Sequence, residues 1–130
     1  MTKIIFSKLK HMYTDAFLDA YFSKATQDEY DILPIVMLYQ IVDVAFDVVT
    51  DQNRYRSFIR PFTARNITTF AVSYAMSRNE FVSNIPLNEY MREKIVWEID
   101  RLLKFIKRNT QWEETLYKSL NNRMWFKTDA

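Results

Sequence analysis

The chain has 130 residues, 18 lysines and arginines against 16 acids, no cysteine, one histidine and no glycine, where an average composition supplies about nine. Without glycine there is no phosphate loop, dinucleotide turn, nucleophile elbow or EF-hand loop, since each needs a backbone position that glycine alone adopts cheaply or that must approach a ligand closely. Without cysteine, and with His11 alone, disulfides, thiolate metal sites, iron–sulfur clusters, cysteine nucleophiles and histidine-rich metal motifs are excluded as well.

An apolar share of 48% and a charged share of 26% fit one packed domain over residues 1–130. The N-terminal apolar run is too short for a signal peptide, and the long apolar stretch 32–49 is interrupted by Pro34, Gln40, Asp43 and Asp47, so a cytoplasmic protein outside the membrane is expected. Frequent Ile, Lys, Asn, Tyr and Phe, with few Pro and no Gly, is the bias of an AT-rich coding sequence, as in many phages and mobile elements.

In chain order, Ile5, Leu9, Met12, Ala16 and Ala20 recur every three or four positions, which predicts an amphipathic helix over 3–25, with Thr14-Asp15 as a place where it restarts. Thr26 with Glu29 has capping-box spacing, and Pro34 falls near the first turn of a second helix that runs to about 50. That helix is apolar nearly all round except for the stripe Gln40, Asp43, Asp47 and Asp51, which makes it the central element. The alternation of Val42, Val44, Phe46 and Val48 is the rival, strand-like pattern; it finds no second alternating run to pair with. A short helix over 54–60 stops before Pro61. Thr63 caps a helix to about 77, and Ser77 with Glu80 repeats the capping spacing. Asn84-Ile85-Pro86 opens the clearest helix, with Leu87, Met91, Ile95, Ile99, Leu102 and Ile106 on one stripe and the pairs Glu98/Arg101 and Asp100/Lys104 on a solvent face. Thr110 with Glu113 caps a last helix through Trp112, Leu116, Leu120 and Met124. Asn53, Asn79 and Asn109 stand where helices end, as the left-handed stops that glycine usually supplies. The expected fold is all-α, a compact single-domain bundle of about five helices.

Charge is segregated along the chain. Residues 11–51 carry one lysine and eight acids, whereas residues 52–79 carry five arginines, Arg54, Arg56, Arg60, Arg65 and Arg78, and no acid. Tyr55, Phe58 and Phe62 lie between them. Planar guanidiniums interleaved with aromatics suit bidentate contact with carboxylate or phosphate. Three readings stay open: an internal ion-pair network onto Asp43, Asp47 and Asp51, contact with an acidic protein, or phosphate binding. The near balance of charge argues against a dedicated duplex binder. Asp43 and Asp47, or Asp15 and Asp19 with His11, could hold a divalent ion or stage proton transfer only with a further ligand, and Glu113 is the remaining acid considered for a small helical enzyme. Trp125-Phe126 either dock on their own bundle or face a partner pocket or homodimer seam.

These residues predict a non-enzymatic, cofactor-free protein-binding module, an accessory regulator or inhibitor of a host macromolecular machine. Its partner-facing residues are Arg54, Tyr55, Arg56, Phe58, Arg60, Arg65, Trp125 and Phe126, with Asp43, Asp47 and Asp51 in support. A nucleic-acid-binding regulator using the arginine-rich segment 54–78 is the alternative, and a helical enzyme or metal protein using Asp43 and Asp47 comes third.

Overall fold

The computed structural model describes residues 3–21, 32–78 and 89–126; the Thr26/Glu29 pair, Glu80, the start at Asn84-Ile85-Pro86, Leu87 and Asn79 lie outside them. The chain forms α1 (Lys3–Tyr21), α2 (Ile32–Thr50), α3 (Gln52–Tyr55), α4 (Ala64–Arg78), α5 (Glu89–Arg108) and α6 (Trp112–Asn121), with no strand among the described residues. The fold is an all-α bundle, as expected. No helix among the described residues is long and apolar enough to cross a membrane.

α2 is the central element and packs against α1, α3, α4 and α5. Its buried positions, Met37, Leu38, Ile41, Val42, Ala45, Phe46, Val48 and Val49, step by three and four, which is helical spacing. The strand-like alternation arises only because apolar residues cover most of the circumference. On α1 the buried face is Leu9, Tyr13 and Phe17, one position round from the expected stripe, while Met12 and Ala16 are only partly buried. Two aromatic rings offer more area than a methionine and an alanine. Tyr13 meets Phe46 at 4.9 Å and Phe126 at 5.2 Å between ring centroids, which fixes the rotation of α1. α1 does not restart at Thr14, whose hydroxyl donates back to the Lys10 carbonyl at 3.0 Å within an unbroken helix.

The helix ends correct several expectations. Thr63 does cap α4, its hydroxyl accepting from the Asn66 N–H at 3.2 Å. The short helix is one turn at Gln52–Tyr55 rather than 54–60. Thr110 and Glu113 form no capping box: the Asn109 side-chain oxygen accepts from the Gln111 N–H at 3.0 Å, and α6 starts at Trp112 with no side-chain cap bond from Gln111. Nor do Asn53 and Asn109 supply left-handed stops. The positive-φ residue among those described is Arg123, at 61°. It closes α6 through bonds from its own N–H to the Leu120 carbonyl and from the Met124 N–H to the Ser119 carbonyl, the paired bonds of a Schellman turn.

That turn brings the C-terminal segment onto the bundle. Trp125 is 8% exposed, meets Phe105 at 4.8 Å, and lies under the Arg101 guanidinium at 4.0 Å. Phe126 packs on Tyr13, Phe17 and Tyr21. Arg101 also donates to the Trp125 carbonyl and, at 3.1 and 3.2 Å, to both oxygens of Glu98. Tyr21 donates to the same carboxylate at 2.6 Å. Glu98 was expected on the solvent face and is instead fully buried. Burial pushes its carboxyl above the usual range, against the opposing pull of the Tyr21 hydroxyl and Arg101, while burial and the Glu98 hydrogen bond raise the Tyr21 phenol. The neighbouring Asp100–Lys104 pair, at 2.8 Å, is exposed as expected.

Candidate functional site

The polar stripe of α2 becomes the floor of an open cleft of about 730 Å³ between α2, α3 and α4. Gln40, Asp43 and Asp47 are spaced three and four apart and so share a face. Phe70, Tyr74 and Arg78, each four apart, form the opposing face of α4, while α3 and the turn after it contribute Arg54, Tyr55 and Phe58.

The four aromatic rings are in contact. Tyr55 meets Phe58 at 5.5 Å and Phe70 at 5.8 Å, Phe58 meets Phe70 at 5.6 Å, and Phe70 meets Tyr74 at 6.3 Å. This row is open to water: Phe58 is 57% exposed and Tyr74 39%. A guanidinium stands at each end. Arg54 lies 5.5 Å from the Tyr55 ring, and Arg78 lies 5.1 Å from the Tyr74 ring while donating to its hydroxyl at 2.8 Å.

The carboxylates beneath are engaged from within the protein. Lys10 reaches Asp43 at 3.6 Å, and the Tyr55 hydroxyl donates to Asp47 at 2.9 Å. Burial, then that hydrogen bond, lifts the Tyr55 phenol to about 12, so it stays a donor at every physiological pH. The inner oxygen of Asp43 is buried with no hydrogen-bond donor among the described residues. No group of three or more His, Cys, Asp or Glu able to hold a metal occurs among those residues; His11 instead meets the Tyr39 hydroxyl at 2.9 Å.

The arginine block does not act as one surface. Among the described residues none of its members pairs with Asp43, Asp47 or Asp51, so the internal ion-pair network is absent there. Arg54 and Arg78 frame the cleft. Arg65 points elsewhere, to a bidentate pair with Glu93 of α5 at 2.9 and 3.1 Å. Arg56 donates to Gln52 at 2.7 Å and lies 4.9 Å from the Phe62 ring, in a second groove that also contains Asp51, Lys104, Lys107 and Trp112. Arg60 is exposed in the turn before α4. Trp125 and Phe126 belong to the bundle's own packing, which matches self-docking and leaves them away from this cleft.

Of the sequence-predicted residues, then, the cleft gathers Arg54, Tyr55, Phe58, Asp43 and Asp47. It adds Lys10 and, on α4, Phe70 and Tyr74 beside Arg78 of the arginine block. The four-residue spacing of the last three was a readable signal; the approach of Lys10 from α1 was not. No protein-family model matches the chain, and comparison with curated proteins and with solved structures gives no match.

Proposed function

We propose that the protein is a small non-enzymatic binding module that docks a protein partner in the α2–α4 cleft and acts by occupying a surface on a larger macromolecule, as a regulator or inhibitor of it. The observation that carries this reading is the row Tyr55, Phe58, Phe70 and Tyr74, in which Phe58 and Tyr74 are exposed and Tyr55 and Phe70 partly buried, with an arginine at each end. Water-facing aromatics in contact leave apolar area to bury, and Tyr and Arg are the residue types that concentrate binding energy at interfaces. The test is affinity capture from cells with the wild type and with Phe58→Ala/Tyr74→Ala, after circular dichroism has shown that both fold. The reading expects a specific protein retained by the wild type and lost by the variant; retention by both places the docking surface elsewhere.

The second reading is a nucleic-acid-binding regulator, favoured by the groove where Arg56, Lys104 and Lys107 gather beside Phe62 and Trp112. It requires binding of single- or double-stranded probes that weakens steeply as salt is raised.

A further inference from the structure

The chemistry of the cleft narrows its occupant, given that it is a docking site at all. Its charged lining consists of Lys10, Arg54 and Arg78 against Asp43 and Asp47. The two carboxylates are each met by an internal group, Lys10 for Asp43 and the Tyr55 hydroxyl for Asp47. Among the described residues the two arginines are met only by aromatic rings and the Tyr74 hydroxyl, and neither takes part in an ion pair. Both are exposed. The lining thus carries three cations against two anions, and the two exposed cations stand at the two ends of the aromatic row.

We infer that the cleft takes an acidic segment of a partner protein: an apolar side chain laid on Phe58 and Phe70, with carboxylates on either side reaching Arg54 and Arg78. A guanidinium already stacked on a ring is held in place, so less side-chain entropy is lost when a carboxylate closes the fork. Carboxylate is favoured over a nucleic-acid backbone by the floor. A strand carries a phosphate at every nucleotide and gains affinity by neutralising several, whereas this site offers exposed cations only at its ends, with Lys10 already engaged by Asp43 and the carboxylates Asp43 and Asp47 between them. A basic segment is disfavoured because the most exposed charges, Arg54 and Arg78, would repel it, while Asp43 and Asp47 are only partly exposed.

A random peptide display library selected against the full chain tests this, with Phe58→Ala/Tyr74→Ala and Arg54→Glu/Arg78→Glu selected in parallel. The wild type is expected to enrich peptides with acids on both sides of an apolar residue, and synthetic copies of these should bind the charge-reversed variant at least about tenfold more weakly. The charge-reversed protein, folded by circular dichroism, should itself enrich basic peptides. Enrichment of apolar peptides without acidic bias, lost in Phe58→Ala/Tyr74→Ala but not in the charge reversal, keeps the cleft as a docking site and overturns the acidic occupant. Enrichment of basic peptides by the wild type overturns it too, as does tight, salt-sensitive binding of an oligothymidylate probe that charge reversal abolishes. Peptides indifferent to both variants, or no enrichment, overturn the docking reading as well.

Discussion

The Glu98 network and the α2–α4 cleft are built from the same side chains, arginine, tyrosine and carboxylate beside aromatic rings, and they come out oppositely. At Glu98 every charge is used internally: one guanidinium holds a buried carboxylate, a backbone carbonyl and an indole face at once. In the cleft the carboxylates are met by a lysine and a phenol, and the guanidiniums are left at the surface. The difference lies in which partner is buried. A buried carboxylate demands its counter-charge, because an unpaired ion in a low-dielectric interior is costly, whereas an exposed arginine is satisfied by water. The first arrangement ties the segment after α6 to the bundle; the second leaves its guanidiniums facing water.

Truncation separates the two regions most sharply. Arg101→Ala strands the Glu98 carboxylate and uncovers Trp125, and should cost about 3 kcal/mol in chemical denaturation, the low end for a broken buried pair because Arg101 is itself partly exposed. Arg54→Ala/Arg78→Ala should change stability by under about 0.5 kcal/mol, as expected for surface charges that form no ion pair among the described residues. Equal losses in the two proteins would show that the cleft arginines are structural and erase the contrast.

Acidity probes the same contrast. Because burial raises the Glu98 carboxyl above its ordinary 4.5, the folded protein keeps a proton there that the unfolded chain gives up. That contribution favours the fold below the ordinary carboxylate pKa and is lost as pH rises through the raised value. Wild-type stability should therefore improve relative to Glu98→Gln as pH is lowered through the raised value toward the ordinary one, opposite to the usual trend for paired carboxylates. A difference between the two proteins that stays flat across that window would mean that Arg101 and Tyr21 fully offset the burial.

In the cleft, Tyr55→Phe removes the donor to Asp47 and should cost about 1 kcal/mol, the typical net worth of such a bond. In the wild type the Tyr55 phenol should ionise near 12 in an ultraviolet titration, a late step that the variant lacks.

Much of this was legible in the sequence, and the reasons for the rest are particular. α2, α4 and α5 follow from periodicity and, for α4, from a threonine cap that forms as expected. The register of α1 was misplaced because a stripe of mixed residues underweights two large rings, Tyr13 and Phe17, whose partners Phe46 and Phe126 lie far along the chain. Glu98 and Arg101 have the same three-residue spacing whether they face water or the core, so only the tertiary approach of Tyr21 and Trp125 distinguishes the cases. The arginine block looked continuous in one dimension, yet helix geometry sends Arg54 and Arg78 to the cleft, Arg65 to Glu93 and Arg56 to another groove. Composition carried the aromatic–arginine chemistry but not its address.

The absence of glycine bears on the inner region through one residue. Arg123 sits at φ 61° where the turn that ends α6 usually has glycine, and it is this turn that delivers Trp125 beneath Arg101. A side chain with a Cβ is strained there by about 1 kcal/mol, while glycine would give part of that back as greater freedom in the unfolded chain. Arg123→Gly should thus stabilise the protein by about 0.5 kcal/mol, the smallest of these effects. The Arg123 side chain is exposed, so little packing is lost to mask the gain. If the variant were destabilised instead, the arginine side chain would have to contribute to holding the chain end, and the inner network would extend one residue further out than Arg101, Glu98 and Trp125.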